Sequence, residues 1–350
     1  MKTLLIDGDW NLKRNFLKRE NMFAKGEHCG GSYGFLESLR TVVNKVMPDR
    51  ASVMWDGMMG GKLRHDIYPG YKIDRDKSWD EDSYRMDEIE IGEEAKKKYS
   101  SLSQKIKVKN YLEELYVRQS EVEFVEADDL IAQYVITKPD DEQVYIFSTD
   151  KDYRQLIVKE GVSVIIPKKN ETNTTEYTYL NRDNFKKEFG YIPDNILLLR
   201  CFEGDVSDSI HGVDGIAKKS LLKHFPRFAD EIYDIDRLIQ EAVTLYQSHP
   251  IKIFEKIIGS RSVIKRNDRL MNLHHPLLTE QAISEVDDLH NCIIVENEDF
   301  TKRSVANAMT MMVKDGYNKL VWNEDMNWFF QPFFRLVAKE TEYSKKMING

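Results

Sequence analysis

Three strand-like runs of this chain end in aspartate. Asp7 follows Thr3–Ile6, Asp56 follows Ala51–Trp55, and Asp150 follows Val144–Ser148 with one threonine between. Further acids accompany them. Glu126-Ala127-Asp128-Asp129 comes after the run Val122–Val125, Asp150-Lys151-Asp152 holds carboxylates at alternate positions, and Asp205-Val206-Ser207-Asp208 lies farther along. A single Asp in such a place ordinarily caps a helix or shapes a turn. Capping does not account for acids at three strand ends together with tight acid clusters. Converging carboxylates raise one another's pKa unless a cation neutralises them. Oxygen-only sets suit Mg²⁺ or Mn²⁺. Two such ions can activate a water and stabilise the leaving oxygen of a phosphodiester. The chemistry indicated is metal-assisted hydrolysis of a phosphate ester.

The elements that must position these acids follow from hydrophobic pattern. Thr3–Ile6, Ala51–Trp55, Val122–Val125, Val144–Ser148 and Val162–Ile166 are short, apolar and rich in Val and Ile, as buried strands are. Helical patterns such as Gly34–Val46 and Asp128–Ile136 alternate with them. That alternation predicts a mostly parallel sheet covered on both faces, and ligands of such sheets sit beyond the carboxyl ends of the strands. Past about residue 170 the pattern becomes helical: Arg182–Phe189, Asp194–Phe202, Ala217–Phe225, Ile235–Tyr246 and Val305–Gly316. The segment 73–109 holds no strand pattern. Asp74–Glu94 is strongly acidic, and Lys96–Lys109 carries lysines and no acid. Charge runs are usually solvated surface, but a segment this long inside a compact domain is often functional. The aromatic run Trp328–Phe334 is expected in the core.

Composition narrows the classes. The chain has 350 residues, 41% hydrophobic and 31% charged, which supports a packed core and up to two domains. It has 51 Lys+Arg against 59 Asp+Glu, a net charge of −8. Setting aside the nine acids named above leaves the remainder near neutral, so basic patches for phosphates remain available. No run of about 18 apolar residues is present, so no membrane association is expected, and the N-terminus is too briefly apolar for a signal peptide. Cys29, Cys201 and Cys292 are widely spaced and odd in number, which argues for a reducing compartment and a cytoplasmic location.

The ordered set Asp7, Trp55-Asp56-Gly57, Tyr71-Lys72-Ile73-Asp74-Arg75, Glu126-Ala127-Asp128-Asp129, Ser148-Thr149-Asp150-Lys151-Asp152 and Gly204-Asp205-Val206-Ser207-Asp208-Ser209-Ile210-His211-Gly212-Val213-Asp214-Gly215-Ile216 resembles the flap endonuclease / 5′→3′ exonuclease family. The similarity runs over about residues 1–225 and extends to phage-encoded members, the ribonuclease H of T-even-like phages included. It implies an α/β fold: a PIN-like 5′-nuclease domain with a mostly parallel sheet and a helical arch, followed by a helical C-terminal domain with a helix-3-turn-helix module. The expected divisions are 1–190 and 191–350, with the arch at about 73–109 and the module at about 204–225.

The resemblance implies site roles as well. Asp7, Asp56, Glu126, Asp128 and Asp150 would form a tighter metal site, with Asp129, Asp152, Asp205 and Asp208 in an outer one. Lys72 matches the catalytic lysine and Arg75 its companion. A cation there holds the scissile phosphate and stabilises charge developing in the transition state. Tyr71 would stack on the terminal base, and Arg64 is a further phosphate contact. The hairpin with Gly212 and Gly215 opens a helix whose N–H groups suit phosphate, and Lys218 and Lys219 add charge. His211 and Ala217 depart from the family's usual Pro and Gly. The implied cofactors are two or more Mg²⁺ or Mn²⁺ ions, with K⁺ at the hairpin as a further candidate. The implied substrates are DNA and RNA–DNA with 5′ ends or flaps, cut by a monomer that works beside a single-strand-binding or other replication protein. The alternatives are a non-catalytic nucleic-acid-binding protein on the same fold and a toxin-like PIN ribonuclease. The complete carboxylate set and Lys72 disfavour the first, the module and the chain length the second.

Overall fold

The computed structural model describes residues 1–73, 93–172, 174–291 and 303–349. The chain opens with β1 (Lys2–Asp7), whose Leu4, Leu5 and Ile6 are fully buried. Asp7 caps α1 (Gly8–Lys18), a two-residue hairpin of β2 (Phe23–Ala24) and β3 (Glu27–His28) follows, and α2 (Gly30–Val46) covers the sheet. Next come β4 (Arg50–Asp56), α3 (Lys62–Ile67), α4 (Glu93–Glu114), β5 (Arg118–Val122) and α5 (Ala127–Thr137). Strands β6 (Gln143–Phe147), β7 (Val162–Lys169) and β8 (Thr175–Leu180) complete the sheet.

The sheet order is β5-β4-β1-β6-β7-β8, parallel throughout except for the antiparallel pair β7–β8. The chain steps from β1 outward to β4 and β5, then returns to β6 on the other side. The carboxyl ends of β1, β4, β5 and β6 therefore share one edge, where parallel sheets place their ligands.

Beyond β8 the chain is helical, apart from two short bridged segments. It runs through α6 (Arg182–Phe189), α7 (Ile196–Glu203), the short pair β9 (Gly204–Asp205) and β10 (Ile210–His211), and α8 (Lys218–His224). It continues through α9 (Ile235–Ser248), α10 (Lys252–Gly259), α11 (Arg261–Met271), α12 (Glu280–Asn291), α13 (Val305–Asp315) and α14 (Met326–Asn349). Among the described residues, no helix is long and apolar enough to cross a membrane.

Alternation along β1 divides the interior. Leu5 faces a core formed with α5 and α6–α12, whereas Leu4 and Ile6 face one formed with α1, α2, α4, α13 and α14. The last two helices thus return to the sheet.

Two elements differ from expectation. The strand expected at Val122–Val125 lies earlier, at Arg118–Val122. Glu123 and Phe124 form a turn, Phe124 with φ +68°, held by its N–H on the Met58 carbonyl at 2.8 Å. Strand β5 escaped its apolar signature because Arg118 points inward, paired with Glu340 of α14. Strand β8 lies in a stretch expected to be helical. It is an edge strand, and only Leu180 of it is buried, so its apolar signal is weak.

Candidate active site

The acids at the carboxyl edge converge. Asp7 ends β1, and its Oδ1 accepts the Trp10 N–H at 3.1 Å. Its Oδ2 accepts the hydroxyls of Ser148 and Tyr153, each at 3.2 Å. Burial drives the Asp7 carboxyl up to about 8, Asp56 adds to this, the Trp10 N–H opposes it, and Asp150 and Asp9 push it further. Asp56 ends β4 and accepts the Ala127 N–H at 2.8 Å, which ties it to the start of α5. Asp150 follows β6 in a tight turn, accepting the Asp152 N–H at 2.9 Å. The buried Tyr153 hydroxyl senses the whole group. After burial itself, Asp7, Asp128, Asp150 and Asp56 all push its pKa up.

Glu126 and α5 supply the other side. Glu126, Asp128 and Asp129 offer oxygens within 4.8 Å of one another. Arg64 of α3 reaches in from below, buried, with Nη1 at 2.6 Å from Glu126 and Nη2 at 3.5 Å from Asp128. Lys72 forms a close ion pair with Glu126, and the Tyr71 hydroxyl donates to Glu126 at 2.9 Å. Burial raises the Glu126 carboxyl, but Lys72 and Arg64 outweigh it and hold it at about 2. Asp128 behaves oppositely. Burial drives it well up, Arg64 pulls it back, and Asp129 and Glu126 push again. Its buried Oδ1 has no hydrogen-bond partner among the described residues. An unsatisfied buried carboxylate oxygen facing other carboxylates is costly unless a cation completes it. The oxygen-only donor set therefore fits hard divalent ions.

The outer acids are arranged by Arg200 of α7, which bridges Asp152 at 2.8 Å and Asp205 at 2.6 Å. Burial raises Asp152 to about 7, Asp150 adds to this, and Arg200 resists. Asp208 is joined to the Lys72 segment, since its carbonyl accepts the Lys72 N–H at 2.9 Å. Lys72 itself sits at φ +52°, a left-handed conformation that this pairing helps hold.

Several residues stand apart from their expected surroundings. Asp129 does not face Asp152, Asp205 or Asp208. It is buried against Arg64 and accepts the Leu277 N–H at 2.9 Å. Arg64, expected at a phosphate, is only 4% exposed and is consumed by the acids and the Leu270 carbonyl. Tyr71, expected under a terminal base, is buried with its hydroxyl on Glu126. Arg75 and most of the acidic stretch of the arch lie outside the described residues, while the basic half of the arch forms α4.

The hairpin between α7 and α8 is tightly built. Gly204 has φ +71°, and a Cβ there would meet the Ile210 carbonyl at 2.4 Å; one on Gly212 would meet the Phe202 carbonyl at 2.2 Å. Gly215 has φ +79°, Lys218 donates its Nζ to the Phe189 carbonyl at 3.2 Å, and Lys219 is exposed.

Three participants were not singled out from the sequence. Asp9 stands two residues after Asp7, the same interval that links Asp150 to Asp152, and that repetition was the available signal. Its Oδ2 accepts the Asp56 N–H at 2.8 Å. Burial raises it to about 6 with help from Asp56, while Lys105 lowers it. Tyr153 and Arg200 reach the acids only through the fold and carry no local signature.

Comparison with known proteins identifies the family. The family model described as "5'-3' exonuclease, N-terminal resolvase-like domain" matches residues 2–190. A 5'-3' exonuclease of Mycoplasmopsis pulmonis is 29% identical over 239 residues, covering 67% of this chain and 69% of that protein. One from Aquifex aeolicus is 28% identical over 313 residues, covering 83% of this chain and 96% of that protein. Among solved structures, the bacteriophage T5 flap endonuclease, in a pseudo-enzyme–product complex with DNA and metal ions, aligns with a TM-score of 0.58. Its identity is 18% over 88% of this chain and 99% of that one, a likeness of fold. With the family model spanning more than half of the sequence, this chain belongs to the 5'-3' exonuclease family and is a nuclease, a phosphodiester hydrolase.

Proposed function

We propose that this nuclease is a metal-dependent, structure-specific 5′ nuclease. It degrades DNA and RNA–DNA from 5′ ends and cuts 5′ flaps, as replication requires for primer removal and flap processing. The observation that carries this reading is the oxygen cluster of Glu126, Asp128 and Asp129, within 4.8 Å of one another and with Asp128 Oδ1 lacking a hydrogen-bond partner among the described residues, at the sheet edge where Asp7 and Asp56 end their strands.

In this reading Asp7, Asp56, Glu126, Asp128 and Asp150 would hold divalent ions, Mg²⁺ or Mn²⁺, with Asp152, Asp205 and Asp208 at an outer metal site. Two ions at such a site supply an activated water and neutralise charge on the phosphate. Asp7 would join them as a carboxylate whose Oδ2 the Ser148 and Tyr153 hydroxyls keep oriented. Lys72 exchanges Glu126 for the scissile phosphate and stabilises its developing charge. Arg64 stays below as a fixed counter-charge to Glu126 and Asp129. The hairpin with Gly212, Gly215 and the exposed Lys219 tracks the duplex backbone.

The test uses a labelled 5′-flap DNA, a nicked duplex and an RNA–DNA hybrid, each with Mg²⁺ and with excess EDTA. Cleavage from the 5′ side is expected with Mg²⁺ and none with chelator. Undiminished cleavage in EDTA would overturn metal dependence. Inertness toward all three substrates would overturn the substrate class.

A further inference from the structure

The candidate site has a connection to helix α4 that none of its expected parts explains. Lys105, on the inner side of α4, is 8% exposed. Its ammonium lies 3.0 Å from Asp9 and 3.0 Å from Glu121, and 5.0 Å from the Trp55 ring centroid. One turn later Lys109 also pairs with Glu121 and lies 5.7 Å from the same ring. Asp9 uses its other contact to accept the Asp56 N–H at 2.8 Å. A short chain therefore runs from the α4 ammonium, through one carboxylate, to the backbone at the end of β4.

That contact matters because of what Asp56 lacks otherwise. Asp56 is exposed at its strand end. Beyond its place in the β4–β5 ladder opposite Val122, two hydrogen bonds orient it: its N–H on Asp9 and its Oδ1 on the Ala127 N–H. The first holds the Asp56 N–H on the side away from the ladder and so helps set the direction of the side chain. Lys105, 3.0 Å from the Asp9 carboxyl, is the cation that holds Asp9 in place against the neighbouring acids Asp7 and Asp56. Lys105 is buried and saturated by two carboxylates, so it is unlike a phosphate-gripping surface lysine, which snorkels to solvent.

We propose that Asp9 and Lys105 are a positioning pair: Lys105 seats α4 on the sheet and, through Asp9, holds the Asp56 backbone in the orientation hydrolysis needs. The seated position of α4 is then a condition for catalysis as well as for folding. This rests on the nuclease reading above, in which Asp56 is one of the reacting carboxylates.

Lys105→Met, Asp9→Asn, the double variant and Lys105→Arg are compared with the unaltered chain. The measurements are single-turnover cleavage of a 5′-flap DNA at saturating enzyme, flap binding in Ca²⁺, and thermal melting. Lys105→Met is expected to slow single-turnover cleavage more than tenfold while binding changes less than threefold. The double variant is expected to be no slower than the slower single variant, since both interrupt one chain of contacts. Lys105→Arg is expected to recover a substantial part of the rate. Three outcomes would overturn the proposal. They are an unchanged rate in Lys105→Met, a loss confined to substrate binding, and fully additive losses in the double variant. Melting identifies a variant that fails to fold; if Lys105→Met does so, Asp9→Asn decides on the same criteria of rate and binding. A failure of the nuclease reading is separate, because the unaltered chain would then not cleave.

Discussion

At the scale of single residues, the site is a balance between acids kept apart from solvent and the few cations that reach them. Lys72 is the cation whose role can be isolated. It is half-buried, paired with Glu126, and held in a left-handed backbone conformation by the Asp208 carbonyl. If it stabilises charge on the scissile phosphate, Lys72→Ala should lower single-turnover cleavage by about 10²–10³, roughly 2.7–4 kcal/mol, and alter binding far less. Lys72→Arg should rescue only part of this, because the wider planar guanidinium fits poorly beside a carboxylate cluster. A normal cleavage rate in Lys72→Ala would reduce the residue to a neutraliser of Glu126. The meeting of Asp7, Asp56 and Asp150 was legible in the sequence because each follows a short apolar run, and parallel strands deliver their carboxyl ends to one edge. The fate of Arg64 was not legible. Its partners Glu126 and Asp129 lie more than sixty positions away, and nothing local separates an arginine bound for solvent from one bound for a buried acid cluster. Tyr71 escaped for the same reason.

At the scale of elements, the hairpin between α7 and α8 is the part that must keep its shape. Gly212 is in direct contact with the Phe202 carbonyl, so Gly212→Ala has to displace backbone. That variant should weaken duplex binding and lower the melting temperature together. Lys219→Ala should leave the fold alone and weaken binding by losing one phosphate contact, with the log K–log salt slope shallower by about 1. Lys218→Ala should act less on that slope, because its ammonium already serves the Phe189 carbonyl. Duplex binding across a salt series distinguishes the three. Helices were legible where apolar spacing and caps agreed: Arg182–Phe189 has Asn181 as a capping box at one end and a left-handed Gly190 at the other. Within Trp328–Phe334 the helical period sorts the run. Phe329, Phe330 and Phe333 are buried, whereas Trp328 and Phe334 are 39% and 46% exposed. Strands β5 and β8 were illegible because tertiary pairing, rather than hydrophobic alternation, holds them. The inward Arg118 of β5 is matched by Glu340, and β8 borrows its register from β7.

At the scale of the whole molecule, the buried acids make stability depend on pH in an unusual direction. Carboxylates in ion pairs usually have lowered pKa values and destabilise the fold as pH falls. Glu126 follows that rule: lowered from 4.5 to about 2, it costs stability as pH falls through that interval. Asp7 and Asp152 do the reverse. Their ordinary value of 3.8 is raised to about 8 and about 7, so between pH 4 and 8 the folded chain holds protons that the unfolded chain has released. Folding stability therefore falls as pH rises through that window, and the loss is complete above it. Divalent ions need the ionised carboxylates, so their affinity rises over the same interval. The melting temperature without divalent ions should be higher at pH 5.5 than at pH 8.5. Added Mg²⁺ at matched ionic strength should raise it by several degrees at pH 8.5 and hardly at all at pH 5.5. Asp7→Asn keeps the shape and removes a carboxyl raised to about 8, so it should flatten the decline and shrink the Mg²⁺ increment at pH 8.5. A melting temperature that rises from pH 5.5 to 8.5 without metal, or a Mg²⁺ increment independent of pH, would mean that solvent reaches these carboxylates and that they are ionised without help.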